Sequence, residues 1–579
     1  MRKLLSKPLS TVLLISFFWV STLPASMRPA HAQKAMVVSI HELASDAGVE
    51  VLKAGGNAID AAVATGFALA VVHPQAGNIG GGGFMLIRMT DGTVHFLDYR
   101  EKAPKAATAD MYLDQQGHVV PKLSTVGYKA IAVPGSVAGL TKAEKQWGKL
   151  GLARVMAPAI KLAREGFPLP YEYEREFQDE TLAQFPESRR IFQRNGNYYK
   201  VGEVFKQPEL ARTLERIAQN PDDFYKGTLA KEVAAAMQKG GGLVTAEDMA
   251  AYEVKEREPI HGSYRGYDIV SAPPPSSGGV ALVETLNILE NYDLTKLGNR
   301  SADAIHLTIE AFRRAFMDRA EFMGDPDYTK IPVASLIDKK YAAAWRQSLN
   351  PEHASVSKEM KRPVNAFNEL DVQARLAAVA IPEPEHTTHY SVVDEAGNAV
   401  AVTTTLNGGF GSFVTTESLG FLMNNEMDDF AAKQGVPNMY GLIQGPGNAV
   451  GAGHRPLSAM TPTIVTKEGK LFLVLGSPGG PTIITTVANV LMGVVDYGLD
   501  IQQAVDAARF HNQWLPDEIR VERGRLSPDT VKLLEVKGHK INARDRYWGD
   551  AECIMIDPRT GERLGGHDSR HDYGKAVGY

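Results

Sequence analysis

The spacing of apolar and polar positions changes character along the chain. From Glu42 to Lys53 and from Ile59 to Val72, alanine-rich segments repeat apolar residues at helical intervals. Gly55-Gly56 and His73-Pro74 close them, so the pattern predicts two packed helices. After Asn78-Ile79 and the glycines Gly80 to Gly83, the runs FMLIRM and VHFLDYR read as strands ending at Arg100. Residues 140 to 320 are mostly helical in pattern, with Thr245 and Asp248 spaced as a capping box and Ser301 placed to cap another helix. Pro273 to Gly279, PPPSSGG, reads as an extended loop because proline has no amide to offer a central strand. From Asn350 to Glu385 the chain is charged, proline-bearing and weakly patterned, which predicts a surface linker.

Strict alternation follows. THYSVVD and NAVAVTTTLN flank Glu395-Ala396-Gly397, a three-residue hairpin loop with Gly397 in the left-handed position. Pairing Asp394 with Asn398 and counting outward sets Thr387 opposite Thr405, with Cβ atoms about 5 Å apart on one face. Taken alone, this pattern favours a Thr–Thr pair that stabilises a sheet over a catalytic contact.

Composition narrows the class. A chain of 579 residues, 44% hydrophobic with a net charge of -5, can bury a large core and has no excess positive charge for a polyanion, which argues against nucleic-acid binding. Length suggests several domains, yet no low-complexity linker or internal repeat divides the sequence, so one large fold stays open. Arg2, Lys3 and Lys7, the apolar run Val12 to Val20 and the small-residue site Ala30-His31-Ala32 predict a signal peptide over residues 1–32. The apolar run is short for a membrane span, so a periplasmic or secreted protein beginning near Gln33 is expected, with no stable membrane span. Cys553 is the single cysteine, so no intramolecular disulfide can form.

Several ordered motifs carry a family resemblance. HTTHYSVVDEAGNAVAVTTTLN, NNEMDDF (Asn424 to Phe430), RPLSAM (Arg455 to Met460) and GSPGG (Gly476 to Gly480) resemble the γ-glutamyltransferases, most closely the bacterial periplasmic form. GNIGGGGFMLIR, LDYRE and PPPSSGG resemble the large subunit of the same family. The resemblance implies an α+β fold of the N-terminal nucleophile hydrolase type, a four-layer αββα sandwich of two stacked antiparallel sheets between helical layers. It also implies self-cleavage between His386 and Thr387, giving a large subunit, 33–386, and a small catalytic subunit, 387–579, within one interlocked fold. The implied partners are a small γ-glutamyl donor such as glutathione and an amino acid or peptide acceptor; no cofactor and no metal are expected.

The implied chemistry makes physical sense of the cut. A threonine hydroxyl is a weak nucleophile, but an N-terminal threonine has its own α-amine, with a reference pKa of about 8, as base. By resemblance, Thr387 is the nucleophile in both self-cleavage and transfer, Thr405 orients it, and the amides of Gly479 and Gly480 form the oxyanion hole. Asn407, Glu426 and Asp429 would hold the donor ammonium, Arg100 and Ser458 its carboxylate, and Tyr440 would cover it. Two departures stand out: Ala459 follows Ser458 where the family usually has a second serine, and Pro481-Thr482 replaces a common Ser-Arg. A lost hydrogen bond to a charged group costs about 1.5–3 kcal/mol of donor binding unless another group replaces it. His567, Asp568 and His571 read as an exposed C-terminal loop rather than a metal site, and His454 likewise has no converging ligands. The rival within the structural family is an acylase that hydrolyses glutaryl or β-lactam side-chain amides. Arg100 and Asp429 argue against it and Ala459 for it. A rival from another class, a non-catalytic periplasmic binding protein, gives Thr387 no role.

Overall fold

The computed structural model describes residues 28–363 and 386–579. Two seven-stranded antiparallel sheets form the centre. In the first, the hairpin strands Thr387–Val393 and Ala399–Thr405 lie between Met36–Ser39 and Gly82–Arg88. In the second, Thr463–Lys467 and Lys470–Leu475 lie between Tyr267–Ser271 and Cys553–Ile556.

Both faces of the hairpin are buried, as its apolar content demands. Tyr390, Val392, Val400 and Val402 turn outward to a core shared with helices Glu42–Lys53 and Ala58–Val72. Val393, Ala399 and Ala401 turn inward to a core shared with Leu473, Val474 and Leu475 of the second sheet. Helices Gly278–Leu289, Ala302–Phe322 and Thr482–Val495 supply the remaining layer. This is the αββα order. Because strand side chains alternate, Thr387 and His389 share the inward face with Val393 and point between the sheets.

The hairpin register is the one expected, with Thr387 opposite Thr405 and Val393 opposite Ala399. Gly397 has φ 89°, and the Asp394 amide donates to the Asn398 carbonyl at 3.1 Å. The Asp394 carboxylate also accepts the Ala58 amide at 3.0 Å, tying the hairpin tip to the helix that packs on its outer face. The first helix spans Glu42–Lys53 as expected, and the second begins at Ala58 behind an Asn57–Asp60 capping box. Thr245 with Asp248, and Ser301, cap the helices that follow them.

Four expectations need correction. The PPPSSGG loop ends at Ser277, because Gly278 and Gly279 open helix Gly278–Leu289; a Cβ on Gly279 would lie 2.3 Å from the Ala272 carbonyl oxygen. Within the stretch read as mostly helical, Ile260–Tyr264 and Tyr267–Ser271 form a hairpin. Arg265 and Gly266, with φ 49° and 81°, make the two-residue turn that matches strand twist. The supposed surface linker is anchored over 350–363: Ser357 is buried, its carbonyl accepts Trp514 Nε1 at 3.0 Å, and Arg362 pairs with Asp318 and Glu321. Its charges serve partners on helix Ala302–Phe322; the rest of that stretch, 364–385, lies outside the described residues. Finally, Asp568 is fully buried between Arg509 and Arg570, so its segment is not an exposed loop. Most of the expected leader also lies outside the described residues, while Ala30–Ala32 form an edge strand on Arg563–Gly566.

Candidate active site

The hairpin register brings Thr387 Oγ1 within 3.0 Å of Thr405 Oγ1, both side chains being buried. The Asn407 amide donates to Thr405 Oγ1 at 2.8 Å, a bend made possible by the left-handed φ of 75° at Asn407. Thr405 Oγ1 also lies 3.3 Å from the His386 carbonyl oxygen. A hydroxyl carries one proton, so with the His386–Thr387 peptide bond intact Thr405 chooses between that carbonyl and Thr387. The glycine run explains how the strands come so close: a Cβ on Gly81 would sit 2.0 Å from the Thr405 carbonyl oxygen. Asn78 locks this approach, donating to the Thr405 carbonyl at 2.9 Å and accepting the Gly81 amide at 2.9 Å.

GSPGG joins strand Lys470–Leu475 to helix Thr482–Val495 beside the threonine pair. A Cβ on Gly476 would fall 2.2 Å from the His389 ring, so its bareness lets the turn settle over the hairpin. Gly479 and Gly480 have φ 131° and 52°. Thr482 holds the turn by donating its amide and hydroxyl to the Gly479 carbonyl at 2.9 and 2.8 Å. Among the described residues the amides of Gly479 and Gly480 meet no acceptor, and they lie at a helix N-terminus, where developing negative charge is favoured.

A cleft of about 330 Å³ unites Thr387, Thr405 and Gly480 with Arg100, Asn407, Glu426, Asp429, Tyr440 and Ser458. Gly479 and His386 border a second cleft that Thr387 also lines. In the first cleft Arg100 is gripped by Glu426, by Asp429 at 2.5 Å and by the carbonyls of Pro456 and Leu457 at 3.1 and 3.2 Å. Burial opposes the Arg100 charge, but Glu426, Asp429 and Glu101 outweigh it and hold its pKa above the ordinary value. Burial pushes Glu101 up to about 7 and Glu426 well above the carboxylate range despite Arg100. Burial also raises Asp428 to about 6, partly offset by the Ser124 hydroxyl 2.7 Å away. Tyr440 donates to the Asn407 carbonyl at 2.6 Å, and a Cβ on Gly480 would lie 2.9 Å from its ring, so the tyrosine closes the cleft over the glycine turn. Ser458 Oγ accepts the Met460 amide at 3.1 Å, and Ala459 lines the cleft with a methyl group.

Two groups in this region escaped sequence reasoning. Arg319 lines the cleft from helix Ala302–Phe322, donates Nε to Ser277 Oγ at 2.9 Å and has Nη1 buried without a partner. Glu101 lies beside Arg100, its Oε2 3.7 Å from Arg100 Nη1, with both carboxylate oxygens buried and without a hydrogen-bond partner. The available signal for Arg319 was a helix whose charged residues, Arg313, Arg314, Asp318 and Arg319, fall among core positions. His454 stacks on Tyr328 at 3.8 Å. Among the described residues His306, Glu310 and His539 bring possible metal-ligand atoms within 4.8 Å of one another. Those atoms already serve the fold: Glu310 binds Arg314 at 2.7 Å, and His306 bridges His539 and the Asn350 carbonyl at 2.7 and 2.8 Å.

Residues 44–578 match the γ-glutamyltranspeptidase family. This chain belongs to that family. It is 49% identical over 555 residues to the glutathione hydrolase proenzyme of Escherichia coli, covering 95% of this chain and 93% of that one. The γ-glutamyltranspeptidase structure from Helicobacter pylori matches 57% of this chain and 96% of its own, with 45% identity and a TM-score of 0.56. The cephalosporin acylase structure from Bacillus halodurans covers 100% of this chain and 99% of its own, with 29% identity and a TM-score of 0.83. Membership of the γ-glutamyltranspeptidase family and the stacked-sheet fold thus agree with the resemblance carried by the motifs.

Proposed function

We propose that this chain is an exported γ-glutamyltransferase precursor that cuts itself before Thr387. In the uncut chain the Thr387 hydroxyl attacks the His386 carbonyl carbon, displacing the peptide nitrogen to give an ester that water resolves. Thr405, 3.3 Å from that carbonyl oxygen, donates its proton to the developing charge. Once the His386 carboxylate has left, the same proton serves the Thr387 oxygen, and the new α-amine is the base.

The first cleft suits an α-amino acid head group. Its carboxylate replaces Glu426 and Asp429 on Arg100, and its ammonium takes up the two carboxylates so released, with Asn407 and Ser458 beside them. The γ-carbonyl then meets Thr387, with the oxyanion directed to the amides of Gly479 and Gly480, and Tyr440 excludes water. Attack by an amine or by water releases the γ-glutamyl group. The subunits are 33–386 and 387–579; the leader-like start supports a periplasmic or secreted location.

The observation that carries the reading is the Arg100–Glu426–Asp429 cluster, with Arg100 and Glu426 buried and Asp429 half-buried, in the same cleft as the paired threonine hydroxyls. An acyl group without an α-amine would leave the carboxylates without a cation. The acylase reading is favoured by Ala459 and by the likeness to a cephalosporin acylase. Comparing hydrolysis of γ-glutamyl-p-nitroanilide with its glutaryl analogue decides between them: the γ-glutamyl compound should be strongly preferred, and preference for the glutaryl one would defeat the assignment.

A further inference from the structure

The turn that carries Tyr440 over the first cleft is shaped by one side chain that the chemistry so far leaves unused. Asn438 is buried, and its Oδ1 accepts the amides of Tyr440 and Leu442, both at 3.1 Å. Its Nδ2 donates to Asp429 Oδ1 at 3.3 Å. The neighbours fix which way this amide points, since two N–H groups need the oxygen and a carboxylate needs the nitrogen. Two further bonds tie the same stretch of chain to Asp429: Gln444 Nε2 and Asn448 Nδ2 donate to its carbonyl at 3.0 and 2.6 Å. Tyr440 is therefore held through its amide as well as through its hydroxyl, which donates to the Asn407 carbonyl.

Asp429 thus faces two ways. Its Oδ2 meets Arg100 in the cleft, while its Oδ1 meets Asn438, which does not line the cleft. A ligand carboxylate that takes Arg100 deprives Asp429 of its cation. If the ligand also carries an ammonium, Asp429 gains a new cation and stays within reach of Asn438. A ligand with a carboxylate alone sets two like charges side by side at Arg100, and the repulsion drives Asp429 away from its bond to Asn438. The turn at Tyr440 then loses its support. Such a difference in interaction is what allows one ligand, and not the other, to hold a closed state.

We infer that Asn438 is a specificity-determining positioning residue, which makes closure of the Tyr440 turn depend on an α-ammonium at Asp429. This rests on the reading of Asp429 as a ligand of the donor ammonium. Asn438 touches neither the donor nor the reacting atoms. It acts through the Asp429 carboxylate on one side and through the Tyr440 and Leu442 amides on the other. Over a γ-glutamyl group the turn stays closed and Tyr440 keeps water out. Over an acyl group without the amine it opens. The α-amino donor is thereby selected twice, once in binding and once in closure.

L-Glutamate and glutarate test this directly, since they differ only in the α-amine. Each is added to the cut protein at a saturating concentration, judged by inhibition of γ-glutamyl-p-nitroanilide hydrolysis, and hydrogen exchange at the Tyr440 and Leu442 amides is followed by mass spectrometry. Exchange should run about tenfold faster under glutarate than under glutamate, the size of one charge-assisted hydrogen bond. Asn438→Asp keeps an oxygen for both amides and loses the donor to Asp429. In that variant the two ligands should give equal exchange, and the preference in kcat/KM for γ-glutamyl- over glutaryl-p-nitroanilide should fall about tenfold, whereas a merely structural fault in the turn lowers both donors alike. If the variant remains uncut, Asn438→Ser, too short to bridge Asp429 and both amides, replaces it. Equal exchange in wild type, a contrast undiminished in the variant, or a glutarate that never inhibits would each overturn the inference. Failure of glutamate to compete with the donor counts against the reading of the first cleft, whereas competition without the exchange contrast counts against Asn438 alone.

Discussion

The two clefts that meet at Thr387 differ in how their charges are arranged. In the first, Arg100 is paired with Glu426 and Asp429, and Arg319 adds a second guanidinium. In the second, burial lifts the Glu176 and Asp550 carboxyls to about 7, and Glu552 lies beside Asp550. Opposite charges already in contact suit a zwitterion, which can replace each internal pair with one of its own. Buried carboxyls that hold their protons to near neutral pH make no such demand.

Arg100→Lys should break the contrast most severely. Lysine cannot span two carboxylates and two carbonyls as the guanidinium fork does, and donor KM should rise about 100-fold, the loss of roughly 3 kcal/mol of charge-assisted hydrogen bonding. Steady-state kinetics on the cut protein checks this, and an unchanged KM would separate Arg100 from the donor. Ala459→Ser sharpens the comparison from the other direction. A hydroxyl on the cleft wall should lower donor KM about tenfold at most, while acceptor KM stays where it was. Tyr440→Phe removes the bond to the Asn407 carbonyl, worth about 1 kcal/mol, and should raise donor KM about fivefold.

The smallest effect concerns stability behind the second cleft. Burial holds Glu552 well above the carboxylate range and lifts Asp550 to about 7. An unfolded chain releases such protons near pH 4, whereas the folded one keeps them, so between about pH 4 and 7 the unfolded state binds fewer protons and stability falls as pH rises. Glu552→Gln relieves part of this burden. Its apparent Tm should exceed that of wild type by more at pH 8 than at pH 5, and a constant difference would show that Glu552 does not carry the pH dependence.

The sequence made the centre of the fold legible because local signals there agree. Gly397 fixes the hairpin loop, the alternation of THYSVVD and NAVAVTTTLN fixes its faces, and together they fix the Thr387–Thr405 contact without reference to any relative. The donor residues needed the family resemblance, since Arg100 and Asp429 are far apart along the chain and no periodicity joins them. Arg319 was hidden by its helix, where an arginine ordinarily reads as a solvated position. The Asp568 segment misled for a related reason. A loop rich in histidine, aspartate and arginine reads as surface, yet Arg509, more than fifty residues away, reaches Asp568 and allows its burial. The hairpin at Arg265-Gly266 was missed because the turn sits inside a long stretch of helical spacing. Long-range charge pairing exists only once the sheets have stacked.

The central claim is that one peptide bond is broken to make the base for the hydroxyl beside it. N-terminal sequencing of the small fragment in an active preparation tests this most directly. It should read TTHYS, with Thr387→Ala remaining a single chain without transferase activity; full activity in a chain that keeps the His386–Thr387 bond would contradict the account.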